Sequence, residues 1–301
     1  MTAGEVIDVC VCTFRRPALA ETLASLAAQV LPQGTSLRVI VADNDSTDTR
    51  RCEIEGIGQT LGLPLTYVHA PERNISIARN ACLAAASGDW LAFIDDDEVA
   101  RPDWLARLLA ARAGRQVVFG QVLAIYPETA PAWIKRSDFH STRIAGRDAE
   151  WNGYTGNVLI DRQFISAHGL HFDVALGQIG GEDTMFFLGA HLAGACFAYV
   201  ADAIASEPVP LDRMTMHWLV RRRFRSGQIH FMVLQNKGKV LAGVIGSAAK
   251  VVFCAGLALA HALSPARRTN YVLRAALHLG VFASGLGFSP YREYAASDEQ
   301  R

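Results

Sequence analysis

An apolar run, Trp90 to Ile94, passes without a break into four consecutive acids, Asp95-Asp96-Asp97-Glu98, and two earlier apolar runs end in the same way. Val6 to Thr13 leads into Phe14-Arg15-Arg16-Pro17, and Leu37 to Ala42 leads into Asp43-Asn44-Asp45-Ser46-Thr47-Asp48. Short runs of this kind, rich in β-branched residues, read as buried strands, and Leu65 to Val68 reads as another. Between them lie segments with apolar residues at helical spacing: 18–30 behind Pro17, the alanine-rich stretch Ile75 to Ala86 closed by Ser87-Gly88, and Pro102 to Ala113. Strands alternating with helices over roughly the first 115 residues predict a parallel, doubly wound α/β sheet. Sheets of that kind bind ligands beyond the carboxyl ends of their strands, where these polar clusters fall. No GxGxxG or GxxxxGK[ST] follows the first run, so the edge matches neither a dinucleotide site nor a P-loop.

Further on, Gln116 to Ile125 is strand-like, and the chain is then loop-rich to about Gly153, with Trp133, Trp151 and Tyr154 in or beside this section. Val158 to Ile160 suggests a strand, Glu182 to Ala193 a helix, and 214–236 a long helix; 240–289 is apolar. These shifts predict a catalytic domain over 1–212 and a helical region over 213–301.

Half of the 301 residues are apolar, enough for a substantial core. Lys plus Arg balance Asp plus Glu at 29 each, which argues against a nucleic-acid partner. The acids cluster early, whereas basic residues crowd 213–274. Six cysteines without a CxxC pair fit a reducing compartment. The N-terminal MTAGEVIDVCVCTF has neither a basic leader nor a long apolar stretch, so the expectation is a catalytic part on the cytoplasmic side.

Four clusters carry candidate chemistry. Asp95 to Glu98 repel one another, and a divalent cation bridging to a diphosphate resolves that repulsion; Mg²⁺ or Mn²⁺ takes hard oxygen ligands, one or two of them carboxylates. The bland alternative is a solvated turn, or an N-cap for the helix at Pro102. Asp43 to Asp48 can accept hydrogen bonds from a base and ribose; alternatively Ser46 or Thr47 caps the next helix. Arg79 and Asn80 open a helix that starts at the same edge, where Arg79 can address a phosphate or ribose; the alternative is a surface Arg paired with an acid. Gly180-Gly181-Glu182-Asp183 is either a charged helix start, favourable by about 0.3–1 kcal/mol per acid, or a general base, Asp183, aimed at an acceptor hydroxyl.

With these clusters in this order, the chain resembles a family-2 glycosyltransferase of the GT-A fold from about Val6 to Gly227, through CTFRRP, VADND, RNISIARN, LAFIDDDE, DFHST, GGEDT, EPVP and RRRFRSGQ. It is similar above all to exopolysaccharide glucosyltransferases of the succinoglycan type, which extend a lipid-linked repeat unit. The resemblance implies a UDP-sugar donor, probed by Thr13, Arg15, Asp43 and Asp45 at the uridine, Arg79 and Asn80 near the nucleotide, and Gly156 and Asn157, with Thr155, beneath the transferring sugar. It implies Asp95 to Asp97 as the D-x-D element, with Asp95 and Asp97 as metal ligands and Asp96 beside them, and Asp183 as the base of an inverting displacement. Family members often carry a His just before the E-P segment. Ser206 stands there in this chain, followed by Glu207, and Glu207 or His217 are the groups available to substitute.

Arg221, Arg222, Arg223 and Arg225 form a basic run that either closes over the diphosphate, with Arg222 the residue assigned there, or is drawn to anionic lipid. Residues 240–263 carry one charge, Lys250, and 271–289 carry Arg274 and His278. A two-pass hairpin would send Arg267 and Arg268 outward, against the positive-inside tendency. The expectation is helices lying in the inner interface, or a shallow hairpin, at the cytoplasmic face of the inner membrane, where a lipid-linked saccharide acceptor is presented; a buried helical pair is the alternative. Two rival functions stand beside this one. A nucleotidyltransferase is disfavoured by the absence of glycine from CTFRRP, and a non-catalytic nucleotide-sugar or membrane binder has no use for Asp183.

Overall fold

The computed structural model describes residues 4–143 and 151–289, which divide into two compact units. The first comprises 1–125, 141–178 and 182–208, and the second 126–140, 179–181 and 209–301.

The first unit is built on an eight-stranded sheet. In chain order its elements are β1 (Glu5–Thr13), α1 (Leu19–Ala27), β2 (Thr35–Asp43), α2 (Arg51–Leu61), β3 (Leu65–His69), α3 (Ile75–Ala85), β4 (Trp90–Ile94), β5 (Val99–Ala100), α4 (Trp104–Ala110) and β6 (Val117–Ile125). After α5 (Ala132–Ser137), which belongs to the second unit, come β7 (Asn157–Asp161), α6 (Arg162–Ala167), α7 (Glu182–Leu192) and β8 (Phe197–Pro208). The strand order is β3-β2-β1-β4-β7-β6-β8-β5. The first four strands are parallel, as expected. β7 runs antiparallel to both β4 and β6, so the sheet as a whole is mixed.

Alternation along the strands explains why both faces are covered. In β1, Ile7, Val9 and Val11 enter one hydrophobic cluster and Cys10 the opposite one; in β2, Val39 and Val41 oppose Ile40 and Ala42 in the same manner. On one face Leu19, Leu23 and Leu26 of α1 are fully buried, each contributing about 1.5–3 kcal/mol of apolar transfer. On the other, Phe93 and Phe186 pack on Phe172. Asp8 is a buried carboxylate in β1, satisfied by Arg38 and by the backbone N–H groups of Ser87 and Gly88.

Several expectations need correction. The helix after Asp43 to Asp48 starts at Arg51 with Arg50 as its N-cap, and neither Ser46 nor Thr47 caps it. The acid run does not cap the helix at Pro102 either. It turns into the two-residue strand β5, and α4 begins only at Trp104 behind Asp103. β8, α5 and α6 had no counterpart in the sequence reading. The loop-rich reading of 126–153 includes 144–150, which lie outside the described residues.

The second unit contains α5 together with α8 (Met216–Asn236), α9 (Val240–Ala260) and α10 (Pro265–Gly285). α8 and α10 cross at glycines: a Cβ on Gly227 would sit 1.9 Å from the Leu277 carbonyl oxygen, and one on Gly280 would sit 2.0 Å from that of Phe224. Only a residue without a side chain permits such backbone contact. α9 is long and apolar enough to cross a membrane by length and composition, and only 11% of its most apolar stretch is buried.

Candidate active site

The register of the parallel strands lines up one edge. Thr13 pairs with Asp43, and Asp43 with His69, so the loops after β1, β2 and β3 emerge side by side. They are then tied together. Asn44 Oδ1 accepts from the Asn74 backbone N–H at 3.0 Å, and His69 Nε2 lies 2.9 Å from the Asp45 carbonyl. Arg15 grips Asp45 at 2.6 and 2.9 Å, which holds the Asp45 carboxyl below its usual range. The Arg15 and Arg73 guanidiniums flank the Phe14 ring at 5.3 and 5.0 Å. Arg15 and Arg73 both have positive φ, 51° and 45°, a conformation that costs free energy in a non-glycine residue and gathers at ligand loops. Asp43 is fully buried, accepting from the Tyr67 hydroxyl at 2.9 Å and the Asp45 N–H at 3.1 Å.

The acids after β4 sit against this edge. Thr13 Oγ1 donates to Asp96 Oδ2 at 2.7 Å, and Arg16 lies 3.5 Å from both Asp96 and Asp97. Burial lifts the Asp96 carboxyl to about 7 despite the Thr13 bond. Glu98 is buried, accepts from the Asp95 N–H at 3.1 Å, and is pushed well up, first by burial and then by Asp95. Asp95 keeps an exposed surface, yet desolvation of its carboxyl raises it, Arg79 opposing and Asp97 and Glu182 adding.

Because β7 enters antiparallel, with Asn157 opposite Ile94, its N-terminal end arrives beside the end of β4. Gly156 is there for lack of room: a Cβ would lie 2.7 Å from Glu98 Oε1 and 3.1 Å from Asp95 Oδ2. Asn157 instead points into the sheet. It accepts from Trp104 Nε1 at 2.8 Å and donates to the Gln121 and Ala203 carbonyls, so its amide is a structural tie away from the acids. Asn80 is engaged in the same fashion by the Phe172 backbone, donating to its carbonyl and accepting from its N–H, both at 2.8 Å.

Arg79 is no surface residue. It is buried, donates to Glu182 Oε1, and lies 5.5 Å over the Phe172 ring. This pair brings the start of α7 to the acids of β4. Asp183, next to Glu182, has its carboxyl raised to about 7, first by desolvation, then by Glu182 and Asp95, with Arg79 opposing. A carboxylate near pH 7 is matched to accepting a proton from a hydroxyl. Among the described residues no three His, Cys, Asp or Glu side chains are set to hold a metal by themselves. Asp95 and Asp97 are the carboxylates available to a cation that completes its shell with phosphate oxygens and water, as Mg²⁺ does. Their crowding with Asp96 and Glu98 fits such an ion.

Sequence reasoning singled out neither Arg16, the cation on the acid run, nor Tyr67, which holds Asp43; Asn74 stood in RNISIARN without a role, and it caps α3 and ties the third loop to Asn44. The doubled arginine of CTFRRP was the available signal for Arg16. Glu207, at the end of β8, acts electrostatically on Arg16 and Glu98 and so belongs to this acid group. Arg222 and His217 belong to the second unit, where Arg222 lies 5.1 Å over the Trp218 ring.

The family description Glycosyl transferase family 2 matches residues 8–176, more than half of the chain and all of this edge up to Gly156 and Asn157. The chain belongs to glycosyl transferase family 2. This glycosyltransferase is similar, at 46% identity over 298 residues, to the succinoglycan biosynthesis protein ExoM of Rhizobium meliloti, covering 97% of this chain and 96% of that protein. In fold it resembles the mannosyltransferase PcManGT of Pyrobaculum calidifontis in complex with GDP-Man and Mn²⁺, with a TM-score of 0.61, 20% identity, and 91% and 86% of the two chains covered. It also resembles residues 1–349 of S. aureus TarS in complex with UDP-GlcNAc, with a TM-score of 0.54, 16% identity, and 93% and 92% covered. The family-2 enzyme is thus a GT-A-like fold, as the motifs implied.

Proposed function

We propose that this glycosyltransferase moves a hexose, glucose by similarity, from UDP to a hydroxyl of a lipid-linked saccharide in exopolysaccharide synthesis, with inversion at the anomeric carbon. The observation that carries the proposal is the placement of Asp183, its carboxyl at about 7, at the end of α7 that the Arg79–Glu182 pair joins to Asp95. Asp183 takes the proton of the acceptor hydroxyl as that oxygen bonds to the anomeric carbon, and the bond to the diphosphate oxygen breaks in the same step. Thr13, Arg15 and Asp45 line the nucleotide loops, and Asp95 and Asp97 would hold a Mg²⁺ or Mn²⁺ ion. When bound, that ion supplies positive charge against the departing diphosphate. Arg16 stands ready against the same acids.

The likeness to a succinoglycan biosynthesis protein supports the polymer class, and the nucleotide sugars bound by PcManGT and TarS support the donor class. The apolar, largely exposed α9 supports residence at a membrane, which we place at the cytoplasmic face of the inner membrane as part of this proposal. Incubation with labelled UDP-glucose and membrane extract tests the proposal. Release of free UDP with label entering lipid-extractable saccharide is expected, and Asp183→Asn should lower that turnover by at least about 100-fold. Release of pyrophosphate, or an unimpaired Asp183→Asn variant, would overturn it.

A further inference from the structure

The second unit holds a feature that sugar transfer does not use. A cavity of about 190 Å³ is walled by Phe139 beyond α5, by Arg223 on α8, and by Asn270, Leu273, Arg274 and Leu277 on α10. Small-molecule sites generally run from about 300 Å³ upward, so a nucleotide sugar does not fit, whereas a phosphate group does. Neither Arg223 nor Arg274 makes a hydrogen bond or ion pair with any described residue. Both line one small pocket, Arg223 half-buried and Arg274 exposed at its mouth, so an anion there would meet two cations with no acid among the described residues competing for them. Asp138, the acid nearest the Phe139 wall in sequence, is held instead by the Tyr126 hydroxyl at 3.2 Å.

The surroundings narrow the anion to one class. From 213 to 289 the sequence has eleven lysines and arginines and no aspartate or glutamate. In the same unit, α9 turns an apolar face to solvent: Leu241, Ile245, Val252, Phe253 and Leu259 are each more than 60% exposed. These positions recur at helical spacing on one side, while Ser247 and Cys254 are buried on the other. Lys250 is the only charge in the helix. A soluble anion gives no reason for an apolar face of this extent; an anionic bilayer accounts for both the face and the charge.

We propose that the Arg223–Arg274 cavity binds the headgroup phosphate of an anionic phospholipid and so fastens the exposed face of α9 into the membrane. Leu273, Leu277 and Phe139 give the glycerol end of the lipid apolar contact, and the two guanidiniums supply forked donors to its phosphate oxygens. Residence at a membrane is part of the function proposed above; the phosphate site is additional to it and can fail separately.

The test is co-sedimentation of the full chain with vesicles of phosphatidylcholine alone or mixed with phosphatidylglycerol. Binding to the mixed vesicles only is expected. A pair of basic residues that acts only through diffuse attraction changes binding by about 30-fold, and high salt erases that contribution. Arg223→Gln with Arg274→Gln should therefore lose at least tenfold more than the charge-matched pair Arg267→Gln with Arg268→Gln, and the excess should persist in high salt. Lysine at both positions, which keeps charge but not the fork, should fall between. Equal losses for the two glutamine pairs, or equal binding to both vesicle types, would overturn the site. So would thermal stabilisation by inorganic phosphate that the glutamine pair abolishes while vesicle binding stays unchanged, since that marks a free-anion site. Release of UDP from UDP-glucose by Arg274→Gln reads the catalytic proposal on the same preparation: a folded, active variant that no longer binds vesicles leaves sugar transfer standing.

Discussion

Replacing Arg79 by methionine removes the one cation that, among the described residues, pairs with Glu182. Both side chains are 9% exposed, and the second carboxylate oxygen of Glu182 has no hydrogen-bond partner. Glu182 is then a buried charge without compensation, and breaking a pair of this kind costs about 3–5 kcal/mol. Substituting both partners, Arg79→Met with Glu182→Leu, removes the charge as well as its partner and should recover most of that loss, because apolar replacements of buried pairs are often neutral. Urea unfolding of the wild type, the two single variants and the double variant closes a cycle with an expected coupling of about 2–3 kcal/mol. Activity supplies a second reading. Arg79 opposes the rise of the Asp183 carboxyl, which stands at about 7 with Arg79 in place, so without it Asp183 holds its proton to higher pH and the acidic limb of the rate profile moves up. A single variant within about 1 kcal/mol of wild type, or a double variant no more stable than the single, would refute the account of this pair.

Gly156→Ala places a methyl 2.7 Å from Glu98 and 3.1 Å from Asp95; overpacking of about 1–3 kcal/mol then falls on the acid run, and a Mn²⁺ titration of activity should show about a tenfold or greater weakening. Asp96 and Asp183 both titrate at about 7 when folded, above the ordinary carboxyl value of 3.8. The folded state therefore binds more protons between these limits, and in chelator the melting temperature should fall as pH rises from about 4 to 7; Mn²⁺ at neutral pH should restore it. Gly280→Ala drives a methyl into the Phe224 carbonyl at 2.0 Å, where backbone cannot yield, and should lower stability by about 3 kcal/mol in calorimetry.

The parallel half of the sheet was legible because β1, β2 and β4 are buried on both faces and so read as apolar runs broken only by the paired Asp8 and Arg38, each ended by its own polar loop. The acid run stood out because charge at a strand end has no packing use; Glu182-Asp183 read equally as a charged helix start, and only the Arg79–Glu182 pair, 103 residues apart, brings it to the same edge. β8 was not legible. Its sequence FAYVADAIASEP interrupts the apolar pattern with Asp202, and its burial changes along its length, so neither periodicity is clean. Asn80 and Asn157 show a different limit. Each stands at a motif position near the edge, but whether an amide faces a ligand or a backbone is decided by neighbours distant in sequence, here Phe172, Trp104 and Ala203. Arg79 could be read as paired with an acid, but not as buried, because its partner lies 103 residues away.

The reversed direction of β7 has a consequence for how such enzymes diversify. β6 and β7 are adjacent, with Phe119 opposite Val158 and Val117 opposite Ile160; β6 then runs on to Ile125 against β8, and the chain re-enters the sheet at Asn157, opposite Ile94. Everything between them is an excursion with pinned ends, and doubling the length of a flexible one costs only about 0.6 kcal/mol. New surface for a different acceptor can be spliced into that interval while Gly156 returns to the same spot beside the carboxylates.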